Sequence, residues 1–173
     1  MQLLFVCTGN ICRSPIAERL SAAWSAGTDS VDITASSAGT RAVVGSPMEP
    51  KAAQVLSDLG GSPEGFVARQ INPVIASSAD LVLTMTEEHR DAVLKISPRQ
   101  LKRTFTLLEA AHIARAIGPA TVAEFAAARA AVTRAGMIDV PDPIRQSTSA
   151  FEDAGNLIER ALEGLLRNIR SNG

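Results

Sequence analysis

Cysteine, arginine and serine occur together near the start of the chain, in the segment FVCTGNICRSP at residues 5–15. An apolar run ends at Cys7, and Arg13, Ser14 and Pro15 follow a short loop. A loop between a strand and a helix can direct several backbone N–H groups at one point, and the helix N-terminus adds partial positive charge. The guanidinium of Arg13 matches two oxygens of a phosphate group. The segment therefore predicts a cradle for a tetrahedral oxyanion, with Cys7 at its base.

The remaining loop residues fit such a cradle. Gly9 supplies conformational freedom where the chain must turn, and Asn10 tolerates left-handed geometry and can brace the loop. Ser14 can donate a hydrogen bond to the sulfur, and the positive surroundings favour the nucleophilic thiolate. We therefore expect Cys7 to attack phosphorus. The predicted phosphate-binding loop consists of Thr8, Gly9, Asn10, Ile11, Cys12 and Ser14. It lacks the Gly-Lys-Ser/Thr ending of nucleotide-binding loops, and neither a metal nor another cofactor is implied.

A candidate general acid lies far downstream, in the segment PDP at residues 141–143. Expulsion of an alkoxide or phenoxide is easier when a carboxylic acid protonates the departing oxygen. The same residue, then a carboxylate, can activate the water that hydrolyses a phosphocysteine. Asp142 stands between two prolines on what should be a stiff loop, so it is the best candidate for this role. An Asp-Pro pair alone more often marks a turn, and the interpretation therefore depends on the Cys7 loop.

Composition excludes several classes of protein. The chain has 173 residues, 46% of them hydrophobic, and a formal net charge of −1. These values are typical of one compact domain, predicted over residues 1–173, and they favour neither nucleic acid nor a membrane surface as a partner. Two cysteines exclude a disulfide-rich secreted scaffold, and no signal peptide is recognised, so we expect a cytoplasmic protein. Two isolated histidines, His89 and His112, do not indicate a metal site; we expect His89 to cap or pack a helix.

Strand-like and helix-like patterns alternate along the chain. The apolar, β-rich runs are Leu3–Val6, Val31–Ala35, Leu81–Met85 and Arg103–Leu108. Alternation of this kind predicts an α/β, three-layer fold with a central four-stranded parallel sheet and helices on both faces.

Helix boundaries follow from capping residues and glycines. We predict a first helix capped by Ser14 with Trp24 on its buried face, a second from Pro50 to Gly60–Gly61, a third after Thr86, and a last helix opening at Ser149 with Glu152 in a capping box. Residues 110–137 are rich in alanine and predict helices with a break at Gly118–Pro119.

The chain resembles the low-molecular-weight protein tyrosine phosphatase family, whose signature is Cys-x5-Arg-Ser directly after the first strand. Here the signature reads CTGNICRS, and similar stretches are SSAGT (36–40), ARQI (68–71), ADLVLTMTEEHR (79–90) and PDP (141–143). The resemblance implies that Cys7 is the nucleophile, Arg13 binds phosphate and Asp142 is the general acid. It implies a phosphorylated protein or a small phosphomonoester as substrate. It also implies that Cys12 can pair with Cys7 on oxidation and protect the nucleophile.

The residues expected to form the walls of the substrate pocket depart from the family pattern. Family members that act on phosphotyrosine flank the pocket with aromatic rings, whereas this chain has Val43, Val44, Ile144 and Arg145 in those regions. Stacking on a phenyl ring should be weaker by about 1 kcal/mol, although aliphatic contact remains. A related branch that acts on phosphoarginine has threonine where this chain has Ile11, so Ile11 favours the tyrosine-type activity.

Three alternatives stay open beside a phosphotyrosine hydrolase: a phosphoarginine phosphatase, an arsenate reductase on the same type of loop, and a module that binds phosphate without turnover. An arsenate reductase needs further cysteines to pass a disulfide outward, and none follows Cys12. A binding module needs neither the nucleophile nor the acid, so Cys7 and Asp142 together favour an enzyme.

Overall fold

Four parallel strands form the central sheet, in the order β2-β1-β3-β4. They are β1 (Gln2–Cys7), β2 (Thr34–Gly39), β3 (Leu81–Thr84) and β4 (Thr104–Thr106). The computed structural model describes residues 1–27, 32–132 and 139–170. A small second sheet pairs β5 (Ala120–Thr121) with β6 (Ile169–Arg170). The predicted four-stranded parallel sheet is confirmed, whereas the sequence did not indicate the small sheet.

Seven α-helices and one 3-10 helix lie within the described residues. They are α1 (Arg13–Ala26), α2 (Pro50–Asp58), α3 (Pro73–Ser78), α4 (Glu87–Ile96), the 3-10 helix (Pro98–Arg103), α5 (Leu107–Ile117), α6 (Val122–Ala128) and α7 (Thr148–Leu166). None of these helices combines the length and the apolar character that crossing a bilayer requires.

The central sheet is buried on both faces, as the predicted three-layer fold requires. Along β1, Leu3 and Phe5 belong to the larger core cluster, whereas Leu4 and Val6 belong to a second cluster on the opposite face. The larger cluster includes residues of α1, α5 and α7, and the smaller one includes residues of α3 and α4. Because both faces are covered, the strand reads as a continuous apolar run rather than as an alternating one.

The second strand begins and ends later than the sequence predicted. The predicted run Val31–Ala35 starts outside the described residues, and the structure places β2 at Thr34–Gly39. Pairing runs in parallel register from Gln2↔Thr34 to Cys7↔Gly39. Backbone hydrogen bonds to β1, and not the apolarity of the side chains, therefore determine where this edge strand lies.

Two predicted helix starts are wrong. Ser14 does not cap α1, because the helix begins at Arg13 and Cys12 occupies the N-cap without a side-chain hydrogen bond. The last helix begins at Thr148, where the Ser147 hydroxyl accepts a hydrogen bond from the Ala150 N–H. The predicted cap, Ser149, lies two residues after the actual cap, because only Ser149 has a glutamate three residues later, as a capping box requires.

The predicted starts of α2 and α4 agree with the structure, whereas the sequence analysis predicted neither α3 nor the 3-10 helix. Glu49 caps α2, and Thr86 caps α4 as predicted. The predicted strand Arg103–Leu108 is shorter in the structure, because the Thr106 capping box starts α5 at Leu107. The predicted break in residues 110–137 occurs at Gly118, which has a φ of 74°. Residues 133–137 of that segment lie outside the described residues.

Candidate active site

The predicted site lies at the carboxyl ends of β1 and β3, where the strand order of the sheet reverses direction. Connections leave these neighbouring strands on opposite faces, and a crevice opens at such a point in α/β sheets. The crevice here is a cleft of about 340 Å³. Its lining residues are Thr8, Arg13, Thr86, Glu88, His89, Asp139, Val140, Pro141 and Asp142. The topology thus brings the Cys7 loop, the start of α4 and the PDP segment together.

The loop after β1 turns its carbonyl groups away from its centre. Backbone N–H groups of the segment after β2 bind four of these carbonyls at 2.8–3.0 Å. The donors Thr40, Arg41, Val43 and Glu49 bind the carbonyls of Cys7, Thr8, Gly9 and Ile11, respectively. Because a trans peptide holds its N–H opposite its C=O, the amides that follow these carbonyls point inward. Within the described residues, no protein group accepts a hydrogen bond from the amides of residues 8–13, so they can bind an anion.

Asn10 provides the left-handed turn of this loop, with a φ of 53°. Gly9, which the sequence analysis expected to supply this freedom, does not have a positive φ. The Asn10 side chain is fully buried. Its Oδ1 accepts a hydrogen bond from the Arg69 N–H at 2.8 Å, and its Nδ2 donates to Ser14 Oγ at 3.0 Å and to Ser37 Oγ at 2.8 Å. The expected brace is therefore present, and the contact with Arg69 establishes which end of the amide is the donor.

The hydrogen-bond directions continue from a carboxylate to the sulfur. Ser37 donates its hydroxyl hydrogen to Glu18 Oε2 at 2.6 Å, so it can only accept from Asn10. Ser14 likewise accepts from Asn10, which leaves its own hydrogen for Cys7 Sγ at 3.0 Å. The chain of contacts thus presents a hydrogen-bond donor to the sulfur of Cys7.

Sequence reasoning missed two members of this chain, Glu18 and Ser37. Glu18 lies one helical turn after Ser14, and Ser37 belongs to the SSAGT stretch. The spacing on α1 was a usable signal for Glu18. Nothing local in the sequence connects Ser37 with Asn10, because pairing of β2 with β1 creates that contact.

Close approach of β2 to the loop requires a glycine at position 39. A Cβ added to Gly39 would lie 2.5 Å from the Thr8 carbonyl oxygen. A real Cβ does not approach a backbone oxygen so closely, so any larger residue would push the loop away from β2.

Arg13 connects the loop to the PDP segment. Its Nη1 donates to the Val140 carbonyl at 2.9 Å, and its Nη2 lies 2.8 Å from Asp142 Oδ2. The Arg13 side chain is 4% exposed and that of Asp142 is 48% exposed. The structure therefore brings together the predicted phosphate-binding arginine and the predicted acid, with the carboxylate on the solvent side.

The segment that carries Asp142 is attached to the sheet and to α4. The Val140 N–H donates to the Met85 carbonyl at 2.8 Å, and Asp139 Oδ1 accepts from the Glu87 N–H at 2.9 Å. Asp142 Oδ1 accepts from the Ile144 N–H at 3.2 Å. These contacts orient the carboxylate, as expected of a stiff loop.

His89 lies inside the cleft, where the sequence analysis expected only a capping or packing residue. Its backbone N–H binds the capping hydroxyl of Thr86 at 3.2 Å, and its Nε2 lies 2.8 Å from Thr8 Oγ1. Burial, reinforced by the positive charge of Arg13, lowers the pKa of His89 to about 4. The ring is therefore neutral at neutral pH. The sequence signal for a place in the cleft was the position of His89 in the first turn of the helix that follows β3.

Cys12 is buried at the start of α1 and is not bonded to Cys7 in this structure. Burial, followed by the proximity of Cys7, raises the pKa of the Cys12 thiol. Cys12 is therefore protonated at neutral pH and cannot replace Cys7 as the nucleophile.

The four wall candidates do not line the cleft between Arg13 and His89. Val43 lies beside Gly9, its Cγ2 3.7 Å from the position that a Cβ on Gly9 would take. Val44 is largely exposed, Ile144 is partly buried against the core, and Arg145 is exposed with a φ of 64°. Their role as walls of a substrate pocket stays a prediction.

Groups of three or more metal-ligating side chains do not occur in the part of the chain that the structure describes. The positive charge available to an anion in the cleft comes from Arg13, the loop amides and the N-terminus of α1.

The chain is similar to known proteins both in sequence and in fold. The family model described as low molecular weight phosphotyrosine protein phosphatase matches residues 2–173. The low molecular weight protein-tyrosine-phosphatase Etp of Escherichia coli is 33% identical over 159 residues, which cover 92% of this chain and 88% of that protein. A low molecular weight protein tyrosine phosphatase from T. tengcongensis superposes with a TM-score of 0.78 at 27% identity, covering 96% of this chain and 97% of the other. The YwlE arginine phosphatase from Geobacillus stearothermophilus gives a TM-score of 0.73 at 26% identity, covering 95% and 89%.

Proposed function

Since this chain belongs to the low molecular weight phosphotyrosine protein phosphatase family, we propose that it hydrolyses phosphotyrosine in proteins through a phosphocysteine at Cys7. The observation that carries this proposal is the 2.8 Å contact between Arg13 and Asp142. It places a carboxyl group beside the one guanidinium that belongs to the Cys7 loop. A general acid is needed at that position, on the outer side of a phosphate held by the loop.

In the first step the Cys7 thiolate attacks phosphorus. A sulfur–phosphorus bond forms as the bond to the departing oxygen breaks, and Asp142 transfers its proton to that oxygen. The loop amides and Arg13 bind the equatorial oxygens, where negative charge accumulates in the transition state. The hydrogen bond from Ser14 stabilises Cys7 as the attacking anion.

In the second step Asp142, now a carboxylate, accepts a proton from a water molecule. The water oxygen bonds to phosphorus and the sulfur–phosphorus bond breaks, which releases inorganic phosphate and restores the Cys7 thiolate. Arg13 and the loop amides supply the positive charge in both steps, so the proposed reaction needs no metal ion and no cofactor.

The proposed substrate is a phosphorylated protein, with small aryl phosphates as substitutes. Ile11 adds an aliphatic group and no polar contact to the loop, which supports phosphotyrosine over phosphoarginine. Likeness to an arginine phosphatase keeps phosphoarginine as the second candidate. A thiol nucleophile needs reducing conditions, so we place the protein in the cytoplasm. The net charge of −1 supports neither nucleic acid nor a membrane as a partner.

Hydrolysis of an aryl phosphate in the presence of EDTA tests the proposal. We expect turnover by the wild type, none by Cys7→Ser, and a kcat reduced about 10²–10⁴-fold in Asp142→Asn. Asp153→Asn, an exposed position on α7, is the matched control and should keep the wild-type rate.

Acid quenching during turnover should trap phosphate on the wild-type protein and none on Cys7→Ala. Phosphotyrosine and phosphoarginine peptides, compared at equal concentration, decide between the two substrates. Turnover that survives in Cys7→Ser would refute the mechanism. Thiol oxidation that depends on arsenate, without hydrolysis of any phosphomonoester, would support a reductase instead.

A further inference from the structure

His89 joins two threonine hydroxyls inside the cleft. Its Nε2 lies 2.8 Å from Thr8 Oγ1, and its Nδ1 lies 2.9 Å from Thr86 Oγ1. His89 is 4% exposed, so water does not compete strongly for either nitrogen. Thr8 directly follows Cys7 in the chain and lines the same cleft as Arg13 and Asp142. The proposed mechanism uses neither the imidazole nor these hydroxyls.

A neutral imidazole has one N–H donor and one nitrogen acceptor, so the proton on the ring decides what each hydroxyl does. If Nε2 carries the hydrogen, it donates to Thr8 Oγ1, and Thr86 donates its hydroxyl hydrogen to Nδ1. The hydroxyl hydrogen of Thr8 is then free, because no other acceptor for it occurs among the described residues. If Nδ1 carries the hydrogen, Thr8 must instead donate to Nε2 and has nothing to offer a ligand.

An anion in the loop selects between these two tautomers. It supplies an acceptor next to Thr8, and a hydrogen bond to a charged oxygen is stronger than one between neutral groups. Burial and the charge of Arg13 keep the ring neutral by lowering the pKa of His89, while Asp139 and Asp142 act in the opposite direction and Arg41 adds to the lowering. The ring therefore stays neutral, and its single N–H hydrogen can lie on either nitrogen.

We infer that a phosphoryl group in the loop holds His89 in the Nε2–H tautomer, which directs the Thr8 hydroxyl to donate a hydrogen bond to a phosphoryl oxygen. Thr8 is then a phosphate-binding residue through its side chain, and His89 is a positioning residue that acts through Thr8. The inference rests on the proposed function for the identity of the anion. It extends that function by assigning a role to the side chains of Thr8 and His89 in the cleft that Asp142 also lines.

Binding of inorganic phosphate, measured by calorimetry, tests the inference without turnover. Loss of one hydrogen bond to a charged oxygen should weaken phosphate binding about tenfold or more in Thr8→Val. Thr8→Ser keeps the hydroxyl and should bind within about threefold of the wild type. His89→Leu should lose as much as Thr8→Val, whereas His89→Gln, whose amide nitrogen can stand in for Nε2, should recover most of the affinity.

The double variant Thr8→Val/His89→Leu shows whether the two residues act as a unit. It should bind phosphate no more weakly than Thr8→Val, because His89 then has no hydroxyl to direct. Fully additive losses would overturn the inference, since they would mean that His89 acts on phosphate by another route.

Nitrogen-15 NMR of the two histidines reports which ring nitrogen carries the hydrogen. A purely structural role of His89 would not make this depend on bound phosphate. With phosphate bound, the His89 ring should show a protonated Nε2 and an unprotonated Nδ1. A protonated Nδ1 in the complex, or wild-type affinity in Thr8→Val, would overturn the inference. If the protein binds phosphate as described but hydrolyses no phosphomonoester, the proposed function fails and the inference about phosphate stands.

Discussion

Replacing Asn10 by aspartate tests whether its amide sets the hydrogen-bond directions beneath the sulfur. Aspartate has nearly the same shape, tolerates the left-handed φ of 53° and keeps an oxygen for the Arg69 N–H. It changes only the donor end, which bonds to Ser14 and Ser37 in the wild type. The variant therefore isolates the effect of donor direction from that of loop shape.

The expected loss of stability follows from these contacts. The three hydrogen bonds from Asn10 to Ser14 and Ser37 and from Ser14 to Cys7 are replaced by one, from Ser14 to a fully buried oxygen of the new carboxylate, a net loss of two hydrogen bonds worth about 1 kcal/mol each. With the desolvation of that oxygen, the free energy of unfolding should fall by about 3–4 kcal/mol. Urea unfolding measures this quantity, and Asn72→Asp is the matched control. Asn72 caps α3 through Oδ1, a role in which aspartate is equivalent.

The expected loss of reactivity has a separate cause. Ser14 would donate its hydrogen to the new carboxylate instead of to Cys7, which removes a hydrogen bond worth about 1.5–3 kcal/mol to a charged sulfur. Alkylation of Cys7 by iodoacetamide at a fixed pH should therefore slow by about 10–100-fold, since about 1.4 kcal/mol corresponds to a tenfold change in rate. If Asn10→Asp unfolds and is alkylated like the wild type, the directional chain from Glu18 to Cys7 is refuted.

Further predictions concern the loop, the cleft and the second cysteine. Gly39→Ala should cost about 1–3 kcal/mol in urea unfolding, because its Cβ would lie 2.5 Å from a loop carbonyl oxygen. Gly27→Ala should not, because the nearest atom to its Cβ among the described residues would be 3.7 Å away. The pKa of His89 falls from 6.5 in the unfolded chain to about 4 in the folded protein. At pH values between these two, the unfolded chain therefore binds one more proton than the folded protein. Stability should therefore fall by about 3 kcal/mol as the pH drops through that window. His89→Gln should remove this part of the pH dependence and His112→Gln should keep it; equal curves for all three proteins would contradict the assignment. Peroxide inactivation should be reversed by dithiothreitol in the wild type and not in Cys12→Ser, and full recovery of that variant would argue against a disulfide between the two cysteines.

Local patterns in the sequence were sufficient for the elements whose ends are defined by their own residues. Thr86 caps α4 and Glu49 precedes the proline that opens α2, and both starts depend on contacts within a few residues. At Ser14 the same reasoning failed, because the Ser14 hydroxyl binds Asn10 and the sulfur of Cys7 instead of capping the helix. A capping rule based on neighbouring residues fails where the same side chain forms hydrogen bonds to distant parts of the structure. The prediction of one domain over residues 1–173 and the catalytic roles of Cys7, Arg13 and Asp142 stay predictions for the experiments above.

The order of residues by itself was enough to predict an anion-binding loop, since Cys7, Arg13 and the start of the following helix lie within one short segment. It also determined the α/β alternation, because buried strands read as short apolar runs and helices show a helical hydrophobic period. Only the tertiary structure decided which distant groups meet there. The carboxylate of Asp142 reaches Arg13, and the imidazole of His89 reaches Thr8, because β3 pairs with β1 and the PDP segment binds the end of β3. The physical reason is that strand order, which depends on packing of the whole sheet, sets these distances.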